Sequence, residues 1–302
     1  MANIFVSGLL NVETTARVRG FPIPYYPIDY PFFGVSSGVS GVALNLSKAL
    51  RGLGDRVSLA SLLGEDLPAR LIREELAALG LADGAVLPAL RETPASIVLY
   101  DESGRRQIYC DLKDIQERVY PFSAALIADA DAVMACNINF NRPLLALAKA
   151  QGKLIATDVH VLSDPDDGYN RDFMQAADLL FLSDEGIGGD KAGFLRALAA
   201  RYHNRVLVLG LGARGALLYL PAEDALFERP AWQLGSVVNT VGAGDALFAS
   251  FVHFYLKGLT PPEALDRAQL FAAMKIRCAG ASNGLAGEEE LEREYTRRRG
   301  TT

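Results

Sequence analysis

The sequence predicts an α/β fold: a three-layer, doubly wound and mostly parallel sheet with helices on both faces. Short apolar runs alternate with segments whose apolar residues recur at helical spacing, which is the pattern of a parallel sheet covered on both sides. Half of the 302 residues are apolar, enough to fill a large core. No Pro/Ser-rich spacer, low-complexity tract or repeat of solenoid period interrupts the chain, so one domain over residues 1–302 is expected.

In chain order, strands are predicted at Ile4–Gly8, Val57–Ala60, Ala132–Ala135, Leu154–Thr157, Leu179–Leu182 and Val206–Leu209, each a compact apolar run. Helices fall between them at Ala43–Gly52, Leu67–Leu79, Pro143–Gln151 and Ala192–Tyr202, and a further apolar helix spans Ala246–Leu256. Gly54 and Gly80 stop the first two. Two segments break the alternation. Ile97–Tyr100 and Arg105–Cys110 flank a Gly-containing turn and read as a hairpin, while Phe21–Phe33, rich in proline and carrying Tyr25, Tyr26, Tyr30 and Phe32, reads as extended chain.

Gly210-Leu211-Gly212-Ala213-Arg214-Gly215 follows an apolar strand as a dinucleotide-binding turn would. What comes next decides against that reading. Ala216–Pro221 is short, apolar and closed by proline, so it is a strand rather than the helix whose amino end would hold a pyrophosphate. Gly212 and Gly215 then make a hairpin turn.

The net charge of −6 and pI near 5.2 disfavour nucleic acid as a partner, since phosphate backbones need a basic face. Arg297-Arg298-Arg299 is expected to be a solvated helix end. Cys110, Cys136 and Cys278 are odd in number and widely spaced, signalling neither disulfides nor zinc. No basic region with a long apolar run opens the chain and no stretch reaches membrane-spanning length, so a cytoplasmic protein is expected. No second histidine or cysteine stands at ligand spacing from His160, so a structural role is expected over a metal or catalytic one; His203 reads as a helix-end residue and His253 as a helix-surface or packing residue.

Asn239-Thr240-Val241-Gly242-Ala243-Gly244-Asp245 carries the most chemistry. A helix start leaves N–H groups without intrahelical partners and bears partial positive charge, so a Gly-Ala-Gly turn there can cradle an anion. Asp245 beside it is placed to accept a proton from an alcohol. Phosphoryl transfer fits this pairing. The plainer alternative is a turn at Gly242 and Gly244 with Asp245 as a helix cap.

These seven residues resemble the Asp-Thr-x-Gly-Ala-Gly-Asp signature of the PfkB carbohydrate kinase family, whose fold is called ribokinase-like; Asn239 departs at the first position. Ser40-Gly41-Val42-Ala43-Leu44-Asn45 is similar to the family's amino-terminal motif, with Ser40 for its first glycine. Val6–Glu13 looks like the first strand and its Gly-x-x-Asn-x-Asp pattern, with Glu13 for the aspartate, and Val206–Ala216 resembles the strand and turn beside the nucleotide. The likeness runs from about residue 3 to about residue 287.

The resemblance implies an ATP-dependent kinase acting on a primary hydroxyl of a sugar or nucleoside. Asp245 would be the base, and the N–H groups of Gly242, Ala243 and Gly244 would stabilise the migrating phosphoryl group. Asn11, Glu13, Gly41 and Asn45 would hold the acceptor; Gly212, Gly215, Ser183, Thr240 and Asn239 would line the nucleotide. It implies Mg²⁺, reached through water by Asp184 or Glu185, and in many members a monovalent cation near the signature loop, for which no ligand set is evident. It further implies a small β lid from segments about 12–36 and 91–113, shared with a second copy in a homodimer. The exposed aromatics would bury that contact or stack on a ligand ring. Ser183-Asp184-Glu185-Gly186 departs from the family's Asn-x-x-Glu. Two alternatives follow: a non-catalytic or weakly active sugar- or nucleoside-binding member, or a sugar-phosphate kinase with Arg91, Arg105 or Arg106 taking the existing phosphate.

Overall fold

A computed structural model describes residues 1–278 and 280–299. In chain order its strands and helices are β1 (Asn3–Ser7), β2 (Asn11–Arg17), β3 (Val35–Ser40), α1 (Val42–Gly52), β4 (Arg56–Leu63), α2 (Leu67–Ala78), β5 (Val86–Pro88), β6 (Ala95–Tyr100), β7 (Arg106–Asp111), β8 (Ala132–Ala135), α3 (Arg142–Ala150), β9 (Leu154–Val161), α4 (Arg171–Ala176), β10 (Leu179–Ser183), α5 (Lys191–Tyr202), β11 (Val206–Gly210), β12 (Ala216–Leu220), β13 (Ala225–Arg229), α6 (Ala243–Leu256), α7 (Pro261–Lys275) and α8 (Glu288–Arg299).

Among the described residues, nine strands form one sheet in the order β13-β12-β11-β10-β9-β8-β1-β4-β5. Pairing is parallel from β5 to β11 and antiparallel from β11 to β13. Side chains alternate across each strand, and the core divides accordingly. Ile4, Val6, Phe181 and Val208 face α1, α2, α6, α7 and α8, whereas Phe5, Leu180, Leu182, Leu207 and Leu209 face α3, α4 and α5. That is the three-layer, doubly wound arrangement the sequence predicts.

The chain runs from β1 out to β4 and β5, then returns to β8 on the other side of β1. Strand order reverses at that point, and ligands of open α/β sheets bind there, beyond the carboxyl ends of the strands. Instead of entering a helix directly, the chain leaves β1 into a second sheet of order β3-β2-β6-β7. Strands β2, β6 and β7 come from the two segments named for a lid, β3 runs beyond the first of them to Ser40, and β6 and β7 are the predicted hairpin.

Several local features go beyond the sequence reading. Residues between Arg17 and Val35 form no regular strand, because Pro22, Pro24, Pro27 and Pro31 withdraw N–H donors from any ladder. Arg297-Arg298-Arg299 ends helix α8, as expected, and that helix is packed against the core. Leu291 and Tyr295 of α8 are buried in the core, and Arg299 pairs with Asp266 at 2.8 Å and lies over the Tyr295 ring. His253 is buried, its Nδ1 2.6 Å from the Asp55 carboxylate. Helix α6 starts at Ala243, earlier than its apolar run, so that Asp245 belongs to its first turn. The apolar residues of α6 surround it on all sides because it lies between α1 and α7. No helix of the described residues is long and apolar enough to cross a membrane.

Candidate active site

Helices α1 and α6 pack side by side and bring their first turns together. Gly41 precedes α1 with φ 113°, and Gly242 precedes α6 with φ 79°. Asn45 of α1 donates through Nδ2 to Oδ2 of Asp245 at 2.7 Å, across 200 residues of sequence. A hydrogen bond to a charged acceptor is worth roughly 1.5–3 kcal/mol. The carboxylate therefore sits between two positive helix ends, held by an amide that fixes its direction.

Burial raises the pKa of Asp245, with the Asp158 charge adding to it; the Asn45 hydrogen bond, His160 and Lys275 work the other way and do not fully offset it. A more basic carboxylate is a better proton acceptor.

Gly242 admits no side chain. A Cβ there would lie 2.0 Å from the Ala281 carbonyl oxygen, and the backbone is already left-handed. A Cβ on Gly244 would meet nothing within 4 Å. The N–H of Ala243 donates to the Thr240 carbonyl at 3.2 Å, which removes it from the expected donor set in this conformation. Among the described residues the N–H groups of Gly242, Gly244 and Asp245 have no acceptor, so an open cradle of donors faces free space at the helix start.

The small sheet supplies the other wall. Asn11 is buried with its Nδ2 2.8 Å from Ser96 Oγ. Glu13, next along β2 on the same face, is half-buried; burial and the Asp245 charge raise its pKa, while Ser40, Ser96 and Arg106 pull it down. The buried Oδ1 atoms of Asn11 and Asn45 accept no hydrogen bond. Because a carboxylate takes only donors, the Asn45 amide cannot be turned over to satisfy itself. Unpartnered buried amide oxygens cost about 1–3 kcal/mol each, and hydroxyl groups of a ligand would relieve that.

The residues expected to line a nucleotide are dispersed along the strand ends. Ser183 ends β10 and its Oγ accepts from the Glu185 N–H at 3.4 Å. Gly215 has φ 113° and sits so close to Arg229 that a Cβ would be 2.0 Å from its carbonyl oxygen, which confirms the hairpin of β11 and β12 over a dinucleotide turn. Gly212 opens the tight turn before it. Asp184 is bound by both Lys191 and Arg214, tying the end of β10 to this turn. That leaves little of its charge for a metal, while Glu185 stays exposed to solvent. Asn239 Oδ1 accepts from the Val241 N–H at 2.8 Å, a turn-forming bond that an amide makes as well as a carboxylate. Thr240 Oγ1 accepts from Arg106 of β7 at 3.2 Å, linking the small sheet to the signature loop.

Lys275 escaped the sequence reading, and His160, expected there to be structural, lies within the field of Asp245. Lys275, the last residue of α7, is fully buried and donates to the carbonyls of Val241 and Gly280. His160 lies beside Asp158 with φ 58°, and the Asp158 charge pushes its pKa up to about 9, Asp245 adding to the effect. Burial works to raise Asp158, but the His160 charge and hydrogen bonds outweigh it. A lone histidine gives no motif.

Comparison with known proteins identifies the family and the fold. Residues 1–286 match the model of the pfkB family carbohydrate kinases. An ATP-dependent ribose-1-phosphate kinase of Halopiger xanaduensis is 26% identical over 290 residues, covering 93% of this chain and 94% of that protein. A microbiome-derived acarbose kinase superposes with a TM-score of 0.85 over 97% of this chain and 98% of its own, at 24% identity. Arabidopsis thaliana ribokinase complexed with ribose and ATP superposes at 0.81 over 97% and 98%, at 18% identity. The structural likenesses establish the ribokinase-like fold, and the family match covers nearly the whole sequence: the chain belongs to the pfkB family of carbohydrate kinases.

Proposed function

We propose that the chain transfers the γ-phosphoryl group of ATP to a primary hydroxyl of a sugar or nucleoside, with Asp245 taking the hydroxyl proton. The observation that carries this is the Asp245 carboxylate, raised in pKa and aimed by Asn45, beside unengaged N–H groups at the start of α6. Asn11, Glu13 and Asn45 orient the acceptor, the orphaned amide oxygens receiving its hydroxyls. The N–H groups of Gly242, Gly244 and Asp245 meet the transferred group, a kind of contact whose single donors are worth about 3–4 kcal/mol in other enzymes. Ser183, Thr240, Gly212 and Gly215 border the nucleotide. Among the described residues no cluster of three carboxylates, histidines or cysteines forms a cage. Mg²⁺ would be carried by the phosphates and their waters, neutralising charge there, with Glu185 the free carboxylate nearby.

A second copy would cover the small sheet, where Val35, Ile97, Ile108 and Tyr109 are exposed beside Tyr25, Tyr30 and Phe32.

A phosphorylated acceptor is the second reading. Arg106 projects from β7 to Thr240, and the Halopiger relative is named for a sugar phosphate. Coupled ADP release across pentoses, hexoses, nucleosides and their phosphates tests both. Turnover with no member of the panel overturns the kinase reading. If a sugar phosphate is preferred, Arg106→Ala is expected to raise its KM by at least ~10-fold, the loss of about one charge-assisted hydrogen bond, and to leave free sugars unchanged.

Asp245 must be ionised to accept a proton. With its pKa raised, kcat/KM is expected to fall as pH drops through a value above the ordinary aspartate range. A pH–rate profile checks this; an acid limb at or below the ordinary value contradicts it.

A further inference from the structure

The resemblance implies a monovalent cation near the signature loop, and the residues present there do not fit one. The place is filled by a side chain. Lys275 Nζ donates to the Val241 carbonyl at 2.5 Å and to the Gly280 carbonyl at 2.6 Å, and the residue has 0% exposure. Converging backbone carbonyls of this kind are what a potassium ion would need in place of its water. Here both are already taken by an ammonium, which has about the same charge and hydrogen-bonds where the ion would coordinate. Asn239 compounds the misfit, because it offers a neutral amide where the family carries an aspartate, and its Oδ1 is committed to the Val241 N–H. A second cation would have to enter beside a buried positive charge with no carboxylate at position 239 to offset it.

We propose that the Lys275 ammonium is this chain's own fixed cation for the anion-binding loop, and that no monovalent metal ion serves there. Lys275 is a positioning residue. It clamps the carbonyl of Val241, directly before Gly242, to Gly280, directly before Ala281. Gly242 and Ala281 are themselves in tight backbone contact. The clamp and that contact hold the two loops in one register, so the donors at the start of α6 keep their direction without an ion. The charge also balances carboxylate neighbours, since Asp245 and Glu13 both favour the protonated lysine. Burial outweighs them and lowers its pKa to about 8, so the ammonium persists at neutral pH and is lost as pH rises through that value.

This inference rests on the phosphoryl-transfer reading of the Gly242–Asp245 loop, and its test has an arm that needs no turnover. The wild-type thermal midpoint is measured in potassium and in tetramethylammonium salts of equal ionic strength. Equal midpoints are expected, and a rise specific to potassium overturns the proposal. In the kinetic arm, equal wild-type rates in the two salts are expected, and activation by potassium overturns it. Lys275→Met, which keeps the length of the stem and removes the charge, is expected to lower kcat by at least ~100-fold with little change in the acceptor KM, as when a donor to the transition state is misdirected. Turnover within a few-fold of wild type overturns the assignment. Should Lys275→Met not fold, the two wild-type arms decide alone. In Lys275→Ala, the vacated space is expected to admit ammonium or potassium ions and recover part of the lost turnover, and equal loss in every salt counts against the cation role.

Discussion

Asp245→Asn is expected to cut turnover by at least ~100-fold while acceptor binding stays close to that of the wild type. The amide has nearly the shape of the carboxylate, and it can present its oxygen to Asn45 Nδ2, so the 2.7 Å contact between α1 and α6 survives. Removing the charge also relieves the burial that raises the native pKa, so the fold should be kept or slightly stabilised. What disappears is the capacity to take a proton from the attacking hydroxyl. Ligand binding is read by calorimetry and turnover by coupled ADP release. Unchanged turnover removes Asp245 from the chemistry, and loss of acceptor binding makes it a binding residue instead. The acid limb of the pH–rate profile should vanish in the same variant, since it reports ionisation of this one group.

Much of this was legible in the sequence. The strands were visible because a parallel sheet covered on both faces buries every residue, which leaves compact apolar runs such as Leu179–Leu182 and Val206–Leu209. The Gly215 hairpin was visible because Pro221 closes a strand too short to be a helix. Asp245 and its glycines were visible because they are contiguous. Lys275 was not, for its meaning lies in carbonyls of Val241 and Gly280, and any residue has a carbonyl. Nor was α8 legible as packed structure: its mostly charged sequence anchors through Leu291 and Tyr295 alone, one helical turn apart. His160 gave no motif because a lone histidine has no pattern, and only the fold shows it beside Asp158 and within the field of Asp245.

The pair Gly242→Ala and Gly244→Ala is expected to separate backbone architecture from chemistry. At Gly242 a methyl would be driven to 2.0 Å from the Ala281 carbonyl oxygen in a left-handed conformation. The conformation alone costs about 1–3 kcal/mol, and relieving the clash forces the two loops apart. One of the free donors turns away in the process, and a single donor of this type is worth about 10²–10³ in kcat. Gly242→Ala should therefore lose both thermal stability and nearly all turnover. Gly244 has no positive φ and open space where its Cβ would go, and alanine is the better helix former by about 1 kcal/mol. Gly244→Ala should hold or raise the thermal midpoint, yet turnover should fall, because the added methyl enters the space that the cradle leaves for the transferred group. Thermal denaturation and ADP release on both variants distinguish the cases. Full activity in Gly244→Ala would mean that the open space beside it is not where the phosphoryl group passes.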